Sequence, residues 1–456
     1  MTVTIPLSEY IGLKQSVYES TKALNELQVL VKSLQEEIRL LKNGRNSNTS
    51  STPPSQDYKG SKQKSLREPS TREPGGQKGH EGTNLKMVAI ADQIIEYRPE
   101  FCQLCGQKLD ISEANLEVRK QEMDIPVIAP KVIEYQSYSC NCKSCGYLTR
   151  SQLPEHLHAN IQYGPQISAL IGYFSVRQYL PYNRIAEMMG DVFNAPLSQG
   201  TVDNILQRLS LKATSVYEQI KLKVEQSDVI GGDETGIKIN GKKGWLFTFQ
   251  TKTLNFLTVS FSRGFDTIQS SFKNGFPTSV YVTDCWAAQL KTQAKAHQIC
   301  LAHLQRELNN FIDSFSCSWS KQLKELFNQT LEFKRQLQPN EYYENQKVKT
   351  FERQLDLLLK TNPDDKNKKV KAFIKRLNKN RNSIFTFLYY HNVPPDNNAS
   401  EQSVRNAKVK MKVSNQFKTL EGAKRFAILR SVVDTTIKNS QNVLNAFFNL
   451  SYYSAE

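Results

Sequence analysis

The 456-residue sequence has no apolar run approaching the roughly 20 residues that a membrane-spanning helix needs. It also lacks the basic-then-apolar opening of a secretory signal, so a cytoplasmic location with no membrane partner is expected. Acid is scarce relative to base. The 44 Asp plus Glu against 60 Lys plus Arg leave a net charge of +16, which suits a polyanionic partner and says nothing about fold. Cysteine is sparse and unevenly placed: five of the eight fall between Cys102 and Cys145, a metal-ligand pattern rather than a spread of disulfides. The length leaves room for roughly two to four domains and at least one sizeable core.

Residues 1–42 read as a coiled-coil dimerisation helix. One apolar row is Val17, Leu24, Val31 and Ile38; the other is Leu13, Leu27, Leu34 and Leu41, interrupted at Ser20. β-Branched residues in one row and Leu in the other favour a parallel homodimer, the alternative being an amphipathic helix packed on its own chain. From 43 to 85 the composition shifts to Ser, Thr, Pro, Gly, Gln and Lys, which cannot bury a core, so a flexible basic linker is expected. Its Arg45, Lys59, Lys62, Lys64, Arg67, Arg72 and Lys78 either follow a phosphate backbone or simply keep a tether solvated.

Residues 86–160 carry Cys102-x-x-Cys105-Gly106 and Cys142-x-x-Cys145-Gly146 on either side of a β-rich interval. Four thiolates complete a closed tetrahedral site, so a zinc-ribbon-like domain with a structural Zn²⁺ is expected; Cys140 is a rival to Cys142 as ligand. Residues 161–223 look all-helical. A short helix starting near Leu180, a turn at Asn194-Ala195-Pro196 and a second helix capped by Ser198 resemble a helix-turn-helix. In that reading Arg184, Gln199, Asn204 and Arg208 face DNA; an ordinary helical hairpin is the alternative.

After Lys223 the periodicity becomes extended. Strands are expected at 229–239, 244–250 and 255–261, then a helix near 265–274 and a strand at 279–283. Asp233 lies in the first strand, within Gly231-Gly232-Asp233-Glu234-Thr235, and Asp284 ends the last, within Val282-Thr283-Asp284-Cys285-Trp286. A strand-end Asp on its own is more often a turn former. The order of the elements, with an acid in the first strand and another ending the last, is the layout of an RNase H-like core. Its first part would span 224–300 and its second part, with C-terminal helices, 394–456. Between them, 301–393 is expected to be a helical insertion. The acid-free basic run Lys366, Lys368, Lys369, Lys371, Lys375, Arg376, Lys379 and Arg381 is either a DNA-facing surface or a solvated face.

Glu401, in Asp396-Asn397-Asn398-Ala399-Ser400-Glu401, opens a basic helix capped by Asp396 or Asn397. Asn397, Asn398, Glu401, Arg405, Lys408 and Lys412 share one stripe of it, and Val404, Ala407 and Met411 another. Two acids on neighbouring strands and one on a covering helix can converge to hold divalent cations, Mg²⁺ or Mn²⁺, as in-line attack on a phosphodiester requires. The candidate catalytic metal ligands are therefore Asp233, Asp284 and Glu401, with Asp266 the rival of Asp284. Glu234 points to the opposite face of its strand. Arg405, Lys408 and Lys412 would bring phosphates beside the metal. The fold class expected is multidomain α+β: N-terminal coiled coil, zinc ribbon, helical helix-turn-helix-like domain, and RNase H-like α/β catalytic core with helical insertion.

These motifs, in this order, resemble the IS66-type transposases of bacterial insertion sequences. Gly75-Gly76-Gln77-Lys78-Gly79-His80-Glu81-Gly82 is similar to the family's Gly-rich linker motif, and the paired knuckles to its zinc-binding segment. Asp233-Glu234-Thr235 matches its first catalytic motif. Cys300-Leu301-Ala302-His303-Leu304-Gln305-Arg306 resembles its Cys-x-Ala-His-x-Arg-Arg block, and Asp396 to Glu401 its Asp-Asn-Asn-x-x-Glu motif. The resemblance implies a DDE transposase with Asp233, Asp284 and Glu401 as metal ligands and double-stranded DNA, both element ends and target, as partner. It implies a nucleoid-associated protein, with small accessory proteins as further partners. The chemistry implied is metal-assisted hydrolysis, then attack of the freed 3′-hydroxyl on target DNA, with no covalent protein–DNA intermediate. His303 and Arg306 either sit near phosphates or serve as core and cap. Three departures stand out: Gln305 where the family has Arg, Lys410 in place of an Arg, and Thr283-Asp284-Cys285-Trp286 in place of an Asp-Gly-Tyr form. Lys keeps the charge but loses the bidentate fork. The competing functions are a catalytically silent DNA-binding regulator and a stand-alone structure-specific nuclease, which would leave the N-terminal modules without a use.

Overall fold

The computed structural model describes residues 6–42, 85–157, 159–342, 345–361 and 367–452. The Gly75 to Gly82 motif, the linker cations from Arg45 to Lys78, and Lys366 lie outside the described residues. Helix α1 runs unbroken from Leu7 to Lys42. Its row residues Leu13, Val17, Leu24, Leu27, Val31 and Leu34 are 43–64% exposed, so α1 is not packed on its own chain.

Between 85 and 157 no described residue is buried. The first knuckle is closed by an isolated Phe101–Lys108 bridge, the second by the antiparallel strands β1 (Ser139–Asn141) and β2 (Leu148–Arg150). The β-rich interval expected between the knuckles holds a short 3-10 turn, Ile111–Glu113, and no strand among the described residues until β1 at its end. Its β-branched residues have no opposing strand to pair with, and its exposed backbone is left to water.

Four helices follow: α2 (Pro165–Gly172), α3 (Tyr182–Asp191), α4 (Gln199–Lys212) and α5 (Thr214–Glu225). Pro165 opens α2, where its missing N–H costs nothing. Ser198 caps α4 by accepting the Thr201 N–H at 3.1 Å, as expected from the sequence.

The sheet consists of β3 (Val229–Ile239), β4 (Lys242–Gln250), β5 (Asn255–Ser260), β6 (Phe276–Thr283) and β7 (Ala294–Ile299), in the order β5-β4-β3-β6-β7. The first three form an antiparallel meander, and β6 and β7 run parallel to β3. Asn240 and Gly241, both at positive φ, make the tight turn that joins β3 to β4. Helices α6 (Phe265–Ser271) and α7 (Ala287–Lys291) make the crossovers. Strand β7 was not expected, because Ala294-Lys295-Ala296-His297-Gln298-Ile299 has almost no β-branched content; parallel pairing with β6 imposes it.

The chain continues through α8 (Leu301–Phe315), α9 (Ser318–Gln336), α10 (Gln346–Lys360), α11 (Lys368–Lys379), α12 (Asn398–Ser414), α13 (Leu420–Lys438) and α14 (Val443–Tyr452). This is an α+β structure with one mixed five-stranded sheet. Two apolar cores divide it, and alternation along β6 assigns its residues between them: Tyr281 joins one, Val280 and Val282 the other. The first core is continuous from α2–α5 through β3–β5 to α13 and α14, so it crosses the boundary expected at 223–224. The second packs α8–α11 against β6 and β7. No helix among the described residues is long and apolar enough to cross a membrane.

Candidate active site

Two glycines let the elements of the site approach each other. A Cβ on Gly231 would collide with Gln250, Ser400 and Asn397, and one on Gly232 with the Tyr281 ring. Without those Cβ atoms α12 and β6 close onto β3 beside Asp233. Asn397 holds the junction: its Nδ2 donates to the Gly232 carbonyl at 2.7 Å, and its backbone N–H donates to Cys300 Sγ at 3.2 Å. Of the two caps expected, the side-chain bond is made by Asp396, whose Oδ1 accepts the Asn398 N–H at 3.0 Å, and not by Asn397. Leu301 N–H donates to the Pro395 carbonyl and Cys300 N–H to that of Thr283, both at 2.9 Å, which ties the ends of β6 and β7 to the approach to α12.

Gly232 and Thr283 are partners in the parallel β3–β6 register, so Asp233 and Asp284 are the next residues on adjacent strands. Glu401, in the first turn of α12, is the third acid to arrive. The Asp233 carboxyl is pushed well above the usual range, first by burial, then by the charges of Asp284, Glu234 and Glu401, opposed by the Glu234 N–H it accepts at 2.8 Å. Asp266 is exposed in the first turn of α6 and is not among the groups acting on Asp233.

Cations from α8 and α12 surround Glu401. Arg306 Nη1 lies 3.4 Å and His303 Nε2 3.6 Å from its Oε1, and Arg405 Nη2 lies 3.7 Å from its Oε2. Spacing of three on α8 turns His303 and Arg306 to one face, where they also meet each other at 3.1 Å. His303 Nδ1 sits 3.0 Å from Asp284 Oδ1, yet off the direction of a hydrogen bond, so both atoms are buried without a hydrogen-bond partner. Burial alone depresses the His303 pKa, but the neighbouring Asp284 and Cys300 outweigh it and carry the imidazole up to about 11. Asp396, raised by its burial, adds a fourth carboxyl at the edge.

This donor set fits a hard divalent cation. The Asp233 carboxyl resists ionisation under the charges of Asp284 and Glu401, and Asp284 Oδ1 and Asn397 Oδ1 are buried oxygens with no hydrogen-bond donor, although the ligand atoms of the three acids do not all lie within 4.8 Å of one another. One softer set overlaps it. Asp284, Cys300 and His303 have ligand atoms within 4.8 Å of one another, the only such group of three or more among the described residues. The four knuckle cysteines are therefore not gathered into one cluster, and all are free. The two knuckles are nonetheless alike. Gly106 and Gly146 stand at positive φ and donate to the Cys102 and Cys142 carbonyls at 2.9 and 2.8 Å. Backbone N–H groups of Cys105 and Leu104, and of Cys145 and Ser144, lower the Cys102 and Cys142 thiol pKa values. Cys140 lies in β1, outside the turn.

Glu234 turns away from the three acids, as strand alternation requires. Its buried carboxylate takes Arg263 Nε at 2.9 Å and Nη2 at 2.6 Å, and Gln289 Nε2 at 2.7 Å. The Arg263 guanidinium lies over both Trp245, 4.6 Å from the ring centre, and Trp286, at 3.9 Å. Sequence reasoning missed Arg263, Gln289 and both tryptophans. Only Trp286, two residues after Asp284, carried a local signal.

Arg184, Asn204 and Arg208 are exposed on α3 and α4, as is Gln199, and Arg405, Lys408 and Lys412 are exposed on α12. Lys410 is buried, its pKa lowered by that burial, and Gln305 is buried against Asn328, so neither departure from the family pattern removes an exposed cation. On α11, Lys368, Lys369, Lys371, Lys375 and Lys379 are exposed opposite buried Val370, Phe373 and Leu377. Arg376 is paired with Glu307, and Arg381 with Asp356 and Glu352.

A family model described as Transposase IS66 family matches residues 160–425, a span that takes in every residue of this site. No curated protein matches the chain.

Proposed function

The chain belongs to the IS66 family of transposases, and on that premise we propose that it binds the ends of a mobile DNA element, cuts the strands there and joins them to a target. The observation that supports this reading is that the charges of Asp284, just after β6, and of Glu401, in the first turn of α12, both act on Asp233 in β3. In this reading these acids hold Mg²⁺ or Mn²⁺ within an RNase H-like core of DDE type. A bound pair of such ions supplies an activated water and stabilises charge on the leaving oxygen. Asn397 fixes where Glu401 stands, through Gly232. Arg306 and His303 offset the charge of Glu401 and Asp284, and Arg405, Lys408 and Lys412 line the approach for phosphates.

The remaining parts fit the same reading. α1, with the described residues of both apolar rows from Leu13 to Leu34 exposed, pairs with a second copy as a coiled-coil homodimer. The knuckles Cys102, Cys105, Cys142 and Cys145 hold a structural Zn²⁺ when brought together. The α3–α4 pair, with Arg184, Asn204 and Arg208 outward, acts as a helix-turn-helix-like DNA reader.

The test is strand transfer with Mg²⁺ on labelled DNA from both flanks of the gene, comparing wild type with Glu401→Gln. Joined products from wild type alone are expected. Equal joining by both proteins would remove Glu401 from the site, and specific binding without joining by either would turn the reading to a DNA-binding regulator.

A further inference from the structure

Glu234 has no role among the three acids, yet it is held with unusual care. Its side chain is only 4% exposed, and a carboxylate is buried at a cost that its partners must offset. Those partners are two Arg263 nitrogens and the Gln289 amide. Nε and Nη2 both donate to the one Glu234 Oε1 while Gln289 donates to Oε2, which holds the guanidinium in place, and that guanidinium lies over both indoles. Lys243 approaches Trp245 as well, at 4.8 Å. The assembly is therefore a cluster of two indoles held by one guanidinium, with the carboxylate anchor buried at 4% exposure.

Three features make this cluster more than packing. It stays accessible, with Trp286 37% exposed and the Arg263 side chain 39% exposed, although tryptophan left partly in water forgoes a large apolar gain. It is joined to the acids through the chain: Trp286 follows Asp284 by two residues, just before α7, and Glu234 follows Asp233 with its side chain on the other face of β3. Its surface is flat, aromatic and cationic, which matches an unstacked nucleobase with its phosphate and not an apolar peptide.

We infer that Trp286, backed by Arg263 and Trp245, is a stacking platform for a single unpaired DNA base next to the phosphate at the acids. This rests on the transposase reading and deepens it. Where the duplex opens beside the scissile phosphate, a base held on the platform offsets the cost of its unstacking. Glu234 then acts as a positioning residue, holding Arg263 in place without touching DNA. The Glu after Asp233 in the Asp-Glu-Thr motif thereby acquires a structural reason.

The experiment uses the full chain and two probes, a blunt duplex and the same duplex with a short single-stranded tail bearing 2-aminopurine at its first unpaired position. Stacking quenches that fluorophore. With wild type, quenching and tighter binding of the tailed probe are expected. Trp286→Leu should abolish the quenching and lose about tenfold in affinity for the tailed probe, within the range of one stacked base, while binding the blunt duplex as before. Trp286→Phe should restore most of both. Glu234→Gln should weaken quenching without removing it. Persistent quenching in Trp286→Leu, or an equal loss on both probes, would overturn the inference. Strand transfer run in parallel separates the two readings. Joining without Trp286-dependent quenching removes the platform and keeps the transposase; quenching without joining does the reverse; failure to bind either probe removes both.

Discussion

Residues 164–452 and residues 85–157 are built on opposite principles. The first region buries two continuous apolar cores, with Phe249, Phe256, Phe272 and Phe276 clustered edge-on and tilted at ring distances of 4.8–6.3 Å. The second is rich in Ile, Val, Leu and Tyr yet buries none of its described residues. The catalytic body can thus be stabilised by its own apolar surface. The N-terminal region cannot, and a segment so small needs a metal or a partner to fix it. Site geometry is accordingly inherited from packing in one region and must be supplied from outside in the other.

The sharpest way to break this contrast is a pair of truncations. Phe249→Ala should cost about 3–5 kcal/mol, the range for removing a buried aromatic, whereas Ile125→Ala, at a position 78% exposed, should stay within about 0.5 kcal/mol. Urea unfolding of both variants decides it, and a comparable loss at Ile125 would mean that the N-terminal region has a core after all. Next in size is zinc removal. A strong chelator should speed proteolysis within 85–157 several-fold and leave fragments of the body unchanged; uniform protection with all metal gone would dismiss Cys102, Cys105, Cys142 and Cys145 as ligands. The smallest effect is one of pH within the body itself. Burial lowers the His297 pKa, opposed by its contact with the Thr292 carbonyl at 3.0 Å. The unfolded chain therefore takes up a proton first as pH falls through the ordinary imidazole range, so stability should decline there and level off above it. His297→Gln should flatten that part of the stability–pH curve, and an unchanged slope would locate the effect elsewhere.

Much of the body was legible because its signals are local. Alternating apolar residues marked β3 to β5, Ser198 announced the start of α4, and short frames around Asp233, Asp284 and Glu401 pointed to the same place. β7 was not legible, since its residues are extended only because β6 offers them a parallel partner. The role of Asn397 escaped for a related reason: an Asn before a helix reads as a cap, while its actual bond to Gly232 joins positions far apart in the chain. The Arg263 cluster depends on three separate segments, and none of them is distinctive alone. The two knuckles were plain in the sequence, but spacing could not say how four thiols would be assembled.

The exit and return of the chain at the site have a consequence for how this molecule can vary. Leu301 leaves and Pro395 comes back, and the backbones of these two residues are hydrogen-bonded to each other. The whole of α8 to α11 is thus an excursion that starts and finishes at one clasp. Those helices also pack against β6 and β7, so they cannot simply be removed, but the turns between them can lengthen at little cost, because loop closure grows only slowly more costly with length. The position of Glu401 is in effect decoupled from such lengthening, which leaves the outer turns of the excursion free to vary.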